Sequence, residues 1–174
     1  MKLSETLVKK IGLLSDTHGF LDEKFFDLFS ACDEVWHAGD IGDILVSDQL
    51  EKFKTLRAVY GNIDGTEIRV RYPEKNIFSC EQLNVFMIHI GGYPGHYFPG
   101  IKEQLSERKP DLFICGHSHI LKIMRDDTYN LLHMNPGAAG KSGMHKIRTA
   151  IRFSVEGKNI TNVEVIELGA RGKI

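Results

Sequence analysis

The sequence predicts an α/β protein whose front half alternates strands and helices, backed by a second, mostly antiparallel sheet. Three observations carry this reading. Short apolar runs at 10–15, 34–38 and 56–60 are separated by two amphipathic segments, the order expected of parallel βαβ units. After two adjacent strand-like runs at 76–80 and 83–90, the runs at 121–125, 130–134, 148–155 and 159–167 look like an antiparallel meander. Finally, one apolar run after another stops at a small group of Asp, Asn or His residues. Ligands in open α/β sheets are bound beyond the carboxyl ends of the strands.

The first strand, 10–15, leads straight into Asp16-Thr17-His18. A helix is expected over 22–31, with Leu21, Phe25, Phe26, Leu28 and Phe29 on its apolar side and Asp22 as its cap. The second strand, 34–38, is closed by Gly39-Asp40, and a helix near 47–53 follows with Val46, Leu50 and Phe53 on one stripe. The third strand, 56–60, is closed by Gly61-Asn62. Two adjacent strands, 76–80 and 83–90, then end at His89. A loop rich in glycine and proline, 91–100, precedes a helix over 101–109 that Pro110 terminates. The run Leu112-Phe113-Ile114-Cys115 reads as an interior strand ending in Gly116-His117-Ser118-His119. His117 and His119 are two positions apart, so their imidazoles can converge on one point. Strands at 121–125, 130–134, 148–155 and 159–167 complete the chain, the last two joined by a hairpin turn at 156–159.

At 174 residues, the chain is long enough for one domain, 1–174, with its own core. A formal charge of −1 supplies no general attraction to nucleic acid or to an anionic membrane. Cys32, Cys80 and Cys115 are widely spaced and odd in number, which fits buried free thiols in a cytoplasmic setting rather than disulfides or a zinc pair. Residues 1–10 lack the continuous apolar stretch of a signal peptide, and no segment approaches the roughly 18 apolar residues of a membrane span.

The strand-end residues Asp16, His18, Asp40, Asn62, His89, His117 and His119 offer mixed oxygen and nitrogen donors. Such a set suits Mn, Fe, Co, Ni or Zn and is too rich in imidazole for Mg or Ca alone. Seven ligands exceed the needs of one tetrahedral ion but serve two if one carboxylate is shared. Paired ions activate a water and stabilise in-line displacement at phosphorus. The expected function is therefore hydrolysis of a phosphoester.

In order, Asp16-x-His18, Gly39-Asp40, Gly61-Asn62, His89 and Gly116-His117-x-His119 resemble the five motifs of the calcineurin-like metallophosphoesterases. The short length and Asn135-Pro136-Gly137 resemble the small bacterial and archaeal phosphodiesterase branch. The resemblance implies a four-layer α/β/β/α sandwich of two mixed sheets with two divalent ions, Mn foremost, at one end. It implies that Asp16, His18, Asp40 and His119 hold one ion. Asp40, Asn62, His89 and His117 would hold the other, with Asp40 bridging. The implied activity is a phosphodiesterase acting on a small-molecule phosphodiester, with Asp40, Asn62 and His117 at the reacting centre. The same fold also serves as a protein-interaction scaffold in the retromer subunit related to this branch, which is the rival reading. A nuclease is a third, though the chain shows no basic groove. Nothing in the sequence specifies a homo-oligomer, although an exposed sheet edge leaves room for one.

Two positions depart from the family pattern. Ile63 stands where the family usually has a histidine that protonates the leaving oxygen, and isoleucine transfers no proton. In His89-Ile90-Gly91-Gly92, the second histidine of the usual His-Gly-His is absent, and His96 in the following loop is a candidate replacement acid. Asp64 is expected to orient a metal-bound histidine or to cap its turn, and Asn135 to line the site. Tyr93, Tyr97 and Phe98 either wall an ester pocket or pack the long loop. His37 reads as a hydrogen-bonded packing residue, and His133 and His145 as surface or core residues without a motif.

Overall fold

The structure is a computed structural model that describes residues 8–172. It contains two five-stranded mixed sheets packed face to face. The first has the order β12-β11-β1-β2-β3. It comprises β1 (Val8–Leu14), β2 (Glu34–His37), β3 (Thr55–Ala58), β11 (Ile147–Glu156) and β12 (Asn159–Ala170). The second, in the order β4-β5-β8-β10-β9, comprises β4 (Lys75–Cys80), β5 (Leu83–Ile88), β8 (Leu112–Ile114), β9 (Leu121–Asp126) and β10 (Leu131–Pro136). A separate hairpin pairs β6 (Gly92–Tyr93) with β7 (His96–Tyr97).

Alternation along the strands explains the layers. In β1, Ile11 and Leu13 point between the sheets, where they join Trp36, Val85, Met87, Ile114, Met134 and Phe153 in one core. Gly12 and Leu14 point outward. A Cβ on Gly12 would lie 2.5 Å from the Phe29 ring, so glycine is what lets the helix layer settle there. That outer layer comprises α1 (Lys24–Leu28), α2 (Ile44–Phe53) and α3 (Thr66–Arg71), with Phe25, Phe29, Leu50 and Ile68 buried beneath it. On the far side, α4 (Ile101–Arg108) covers the second sheet by burying Ile101 and Leu105 against Phe86 and Phe113. The result is the expected α/β/β/α sandwich.

Three expectations require correction. The back half is not one meander. β9 and β10 pair antiparallel in the second sheet, but β11 crosses to the first sheet and pairs antiparallel with β1. Residues 137–146 are long enough to make that crossing, and apolar alternation alone does not say which sheet a strand will join. The first helix is five residues rather than ten. Asp22 still accepts from Lys24 N at 3.0 Å, while its second oxygen is held by Arg148 at 2.7 Å. Finally, α3 occupies a segment with no helix expected, because its burial rests largely on Ile68. The turn at 156–159 is a hairpin, with Glu156 opposite Asn159. No helix of the described residues is long and apolar enough to cross a membrane.

Candidate metal centre

Five of the seven candidate ligands have left-handed backbones: Asp16 (φ 55°), His18 (47°), Asp40 (54°), His117 (68°) and His119 (58°). Residues with a Cβ pay a conformational penalty there, so the surroundings must hold them. The loops do so by bonding to one another. Asp16 N donates to Gly39 O at 2.9 Å, His18 N to Asp40 O at 3.0 Å and Gly116 N to His89 O at 3.0 Å. Glycine permits this crowding, since a Cβ on Gly61 would lie 2.0 Å from Asp40 Oδ1.

The structure brings the side chains into two adjoining triads, Asp16–His18–His119 and Asp40–His89–His117, with the ligand atoms of each within 4.8 Å of one another. His119 Nε2 lies 3.1 Å from Asp16 Oδ1 and 3.3 Å from His18 Nε2. Asp40 faces both triads through different oxygens: Oδ1 is 3.2 Å from His89 Nε2, and Oδ2 is 3.6 Å from His18 Nε2. Bonds of about 2.1 Å to a common ion put neighbouring ligand atoms roughly 3.0–3.5 Å apart. The spacing fits ligands gathered around cations. Asn62 is exposed and lines a cleft with His89, Tyr60 and Arg69.

Electrostatics points the same way. Asp16 and Asp40 are buried. Among the described residues, Asp16 Oδ1 and His89 Nε2 are buried without a hydrogen-bond partner. His89 Nδ1 lies 2.7 Å from Ala38 O, so it carries the proton and leaves the Nε2 lone pair free to coordinate. Burial opposes a charge on His89, but Asp40 and Asp16 outweigh it and raise its pKa. Burial likewise pushes the Asp40 carboxyl up, and His89 more than reverses this. Two buried carboxylates thus demand positive charge at this point, which divalent ions would supply. His117 is shifted the other way, first by burial and then by His89, favouring the neutral ring a ligand requires.

The remaining candidates sort as follows. Among the described residues Asp64 makes no hydrogen bond to a histidine; its carboxylate accepts from Gly42 N (2.7 Å), Gly61 N (2.7 Å) and Ile41 N (3.2 Å), tying the Asp40 and Asn62 loops together. This is the turn-capping alternative. Asn135 Nδ2 donates to Gly116 O (2.8 Å) and Ser118 Oγ (3.1 Å), which steadies the turn carrying His117. Ile63 is 45% exposed, and its N–H donates to Asp40 Oδ1 at 3.1 Å. His96 is exposed beside Tyr93, with ring centroids 4.9 Å apart, and shares a cavity with His117. Tyr93 and Phe98 line that cavity, whereas Tyr97 packs on Phe113 and Tyr129. His37 is fully buried, bonded to Thr17 Oγ1 at 2.9 Å, and burial lowers its pKa to about 4.

Two neighbours of the site carried no signal in the sequence. Arg69, on α3, donates to the carbonyls of Asp64 (2.6 Å), Gly61 (3.1 Å) and Asn62 (3.1 Å), gripping the Asn62 turn from outside. His145 lies edge-on to His119, with centroids 5.4 Å apart, because the crossing from β10 to β11 folds behind that ligand. Arg69 sits on a helix with too few apolar positions to show a period, and the His145 contact depends on a chain path that local patterns do not encode.

Residues 10–158 match the model of the calcineurin-like phosphoesterase superfamily domain. A probable metallophosphoesterase of Methanocaldococcus jannaschii is 30% identical over 154 residues, covering 85% of this chain and 77% of that protein. A solved structure described as a novel archaeal phosphodiesterase superposes with a TM-score of 0.74 at 24% identity, covering 91% of this chain and 99% of the other. The zinc complex of Vps29 from Entamoeba histolytica has a TM-score of 0.72 at 13% identity, covering 94% and 99%. The motifs sit at the strand ends of a matching fold, and this chain belongs to the calcineurin-like phosphoesterase superfamily.

Proposed function

We propose that the chain is a cytoplasmic phosphodiesterase that uses two divalent ions, Mn foremost. The single observation carrying this reading is the pair of triads joined by Asp40, whose two oxygens face His89 and His18. Asp16, His18, Asp40 and His119 would hold one ion, and Asp40, Asn62, His89 and His117 the other. Bound ions would supply Lewis acidity, both to activate water and to stabilise charge on the phosphoryl oxygens. The chain's own contribution is positioning: Asp64 and Arg69 fix the Asn62 turn, and Asn135 fixes the His117 turn.

Ile63 offers no proton to the leaving oxygen, and general acid assistance is commonly worth about 10²–10⁴-fold. Diesters with good leaving groups, such as aryl esters, should therefore be cleaved best. His96, which lines the same cavity as His117, is the candidate acid on that side.

The test is hydrolysis of bis-p-nitrophenyl phosphate against p-nitrophenyl phosphate. Metal-stripped protein would be supplied with Mn²⁺, Ni²⁺, Zn²⁺ or Mg²⁺, with Asp40→Asn as control. Metal-dependent cleavage favouring the diester, lost in the variant, is expected. No turnover with metal bound would favour the second reading, a protein-interaction scaffold, which the Vps29 likeness supports.

A further inference from the structure

The crossing segment 137–146 carries a histidine that none of the roles assigned so far uses. His145 is half-buried, and its Nε2 lies 2.9 Å from Gly140 O. A carbonyl only accepts, so Nε2 carries the proton and Nδ1 keeps the lone pair. That Nδ1 is buried, and among the described residues it has no hydrogen-bond partner. Buried polar atoms are ordinarily paired, so an unused acceptor here calls for a donor.

The neighbouring donor is on His119. Its Nε2 lies within the first triad, 3.1 Å from Asp16 Oδ1 and 3.3 Å from His18 Nε2. An imidazole that coordinates through Nε2 carries its proton on Nδ1, and an outer acceptor ordinarily fixes that N–H. The rings of His119 and His145 meet edge-on, with centroids 5.4 Å apart and planes at 77°. A Cβ on Gly143 would lie 2.2 Å from His119 Nδ1 and 3.3 Å from His145 Nδ1. Both atoms therefore border one small space, which a glycine at φ 115° leaves open.

The segment is held in this place from both sides. Gly140 N donates to Asp16 O at 3.0 Å, and a Cβ on Gly140 would lie 2.2 Å from Thr17 O. Arg171 donates to Gly143 O. Through its N–H and its carbonyl, Gly140 thus ties the backbone of Asp16 to the ring of His145, which lies against His119. Asp16 and His119 belong to the same triad.

We propose that His145 is a positioning residue of the first triad, its Nδ1 accepting the Nδ1–H of His119 and so fixing the tautomer and ring direction that cation binding needs. The second triad has its own device for the same purpose, since His89 Nδ1 lies 2.7 Å from the Ala38 carbonyl. A backbone oxygen serves there and a side chain serves here. The proposal rests on the two-ion reading for His119 as a ligand.

The test separates the two nitrogens of His145. His145→Asn puts a carbonyl oxygen where Nδ1 stands and gives up the bond to Gly140, whereas His145→Gln keeps a donor for Gly140 O and gives up the acceptor beside His119. The metal-stripped full chain would be titrated with Mn²⁺ by calorimetry, and with Co²⁺ followed by visible absorption. His145→Gln should weaken one of the two ions about 10–100-fold and shift the Co²⁺ bands, while His145→Asn should stay within about threefold of the parent. His145→Phe, which keeps the ring and neither nitrogen, should match His145→Gln. Equal affinity in the Asn and Gln variants, or a loss in His145→Asn alone, would overturn the assignment and leave the two-ion site standing. A parent chain that binds neither cation would overturn the two-ion reading, and this assignment with it.

Discussion

The strands of this protein run from a saturated region into an unsaturated one. Between the sheets, Ile11, Leu13, Trp36, Met87 and Ile114 are fully buried and apolar. A few residues further along the same strands, Asp16, Asp40, His89 and His117 crowd together, most of them in left-handed backbone. The first region stabilises the fold. The second costs stability through strain and buried charge, and this cost is offset by the rigid sheets beneath and by any cation bound there. The contrast shows why the ligands sit on loops that bond to each other rather than within the strands.

The largest effect should come from the unsaturated region. Asp40→Asn should reduce metal-dependent diester cleavage by about 10³-fold or more, because one residue serves both triads. Its thermal unfolding should remain cooperative in the metal-free state. An enzyme that keeps its rate would break the comparison. In the saturated region, Trp36→Ala should cost about 3–5 kcal/mol of stability. Trp36 packs edge-on against Phe78 and Phe153, with centroids at 4.9 and 5.6 Å, and its indole N–H bonds Glu34 at 3.0 Å. Chemical denaturation measures this loss, and a cost below about 1 kcal/mol would contradict the assigned core.

Asp64→Asn lies at the boundary, and its effect should be intermediate. Its carboxylate serves three backbone N–H groups in two ligand loops, so metal affinity should fall about 10–100-fold. Calorimetric titration would read it, and unchanged affinity would assign Asp64 to turn stability alone.

The smallest effect concerns pH. Burial lowers the His133 pKa from 6.5 to about 4, so the folded protein holds the neutral ring. A base with a depressed folded pKa contributes stability above its unfolded value and loses it below. Its contribution should therefore fade as pH drops from about 6.5 towards 4. The gap in Tm between pH 7.5 and pH 5 should be smaller in metal-free His133→Phe than in the parent chain, and an equal gap would refute the assignment.

Much of this contrast was legible in the sequence. Strand ends announced themselves as apolar runs stopped by Gly-Asp, Gly-Asn or Gly-His, and the structure gathers Asp16, His18, Asp40, His89, His117 and His119 as two triads. Features that depend on long-range chain paths were not legible. Whether β11 joins the first or second sheet leaves no local mark, and so neither does the approach of His145 to His119. Arg69 was hidden because α3 carries too few apolar positions to show a period. His133 lacked a motif, and its full burial with unpaired ring nitrogens on β10 became visible only in the fold.

The most direct measurement is the metal content and affinity of the stripped full chain titrated with Mn²⁺, followed by calorimetry and elemental analysis, beside Asp40→Asn. Two ions per chain, with fewer retained in the variant, is the predicted result. A chain that binds no ion, or one whose binding is indifferent to Asp40, would contradict the account of the strand-end site.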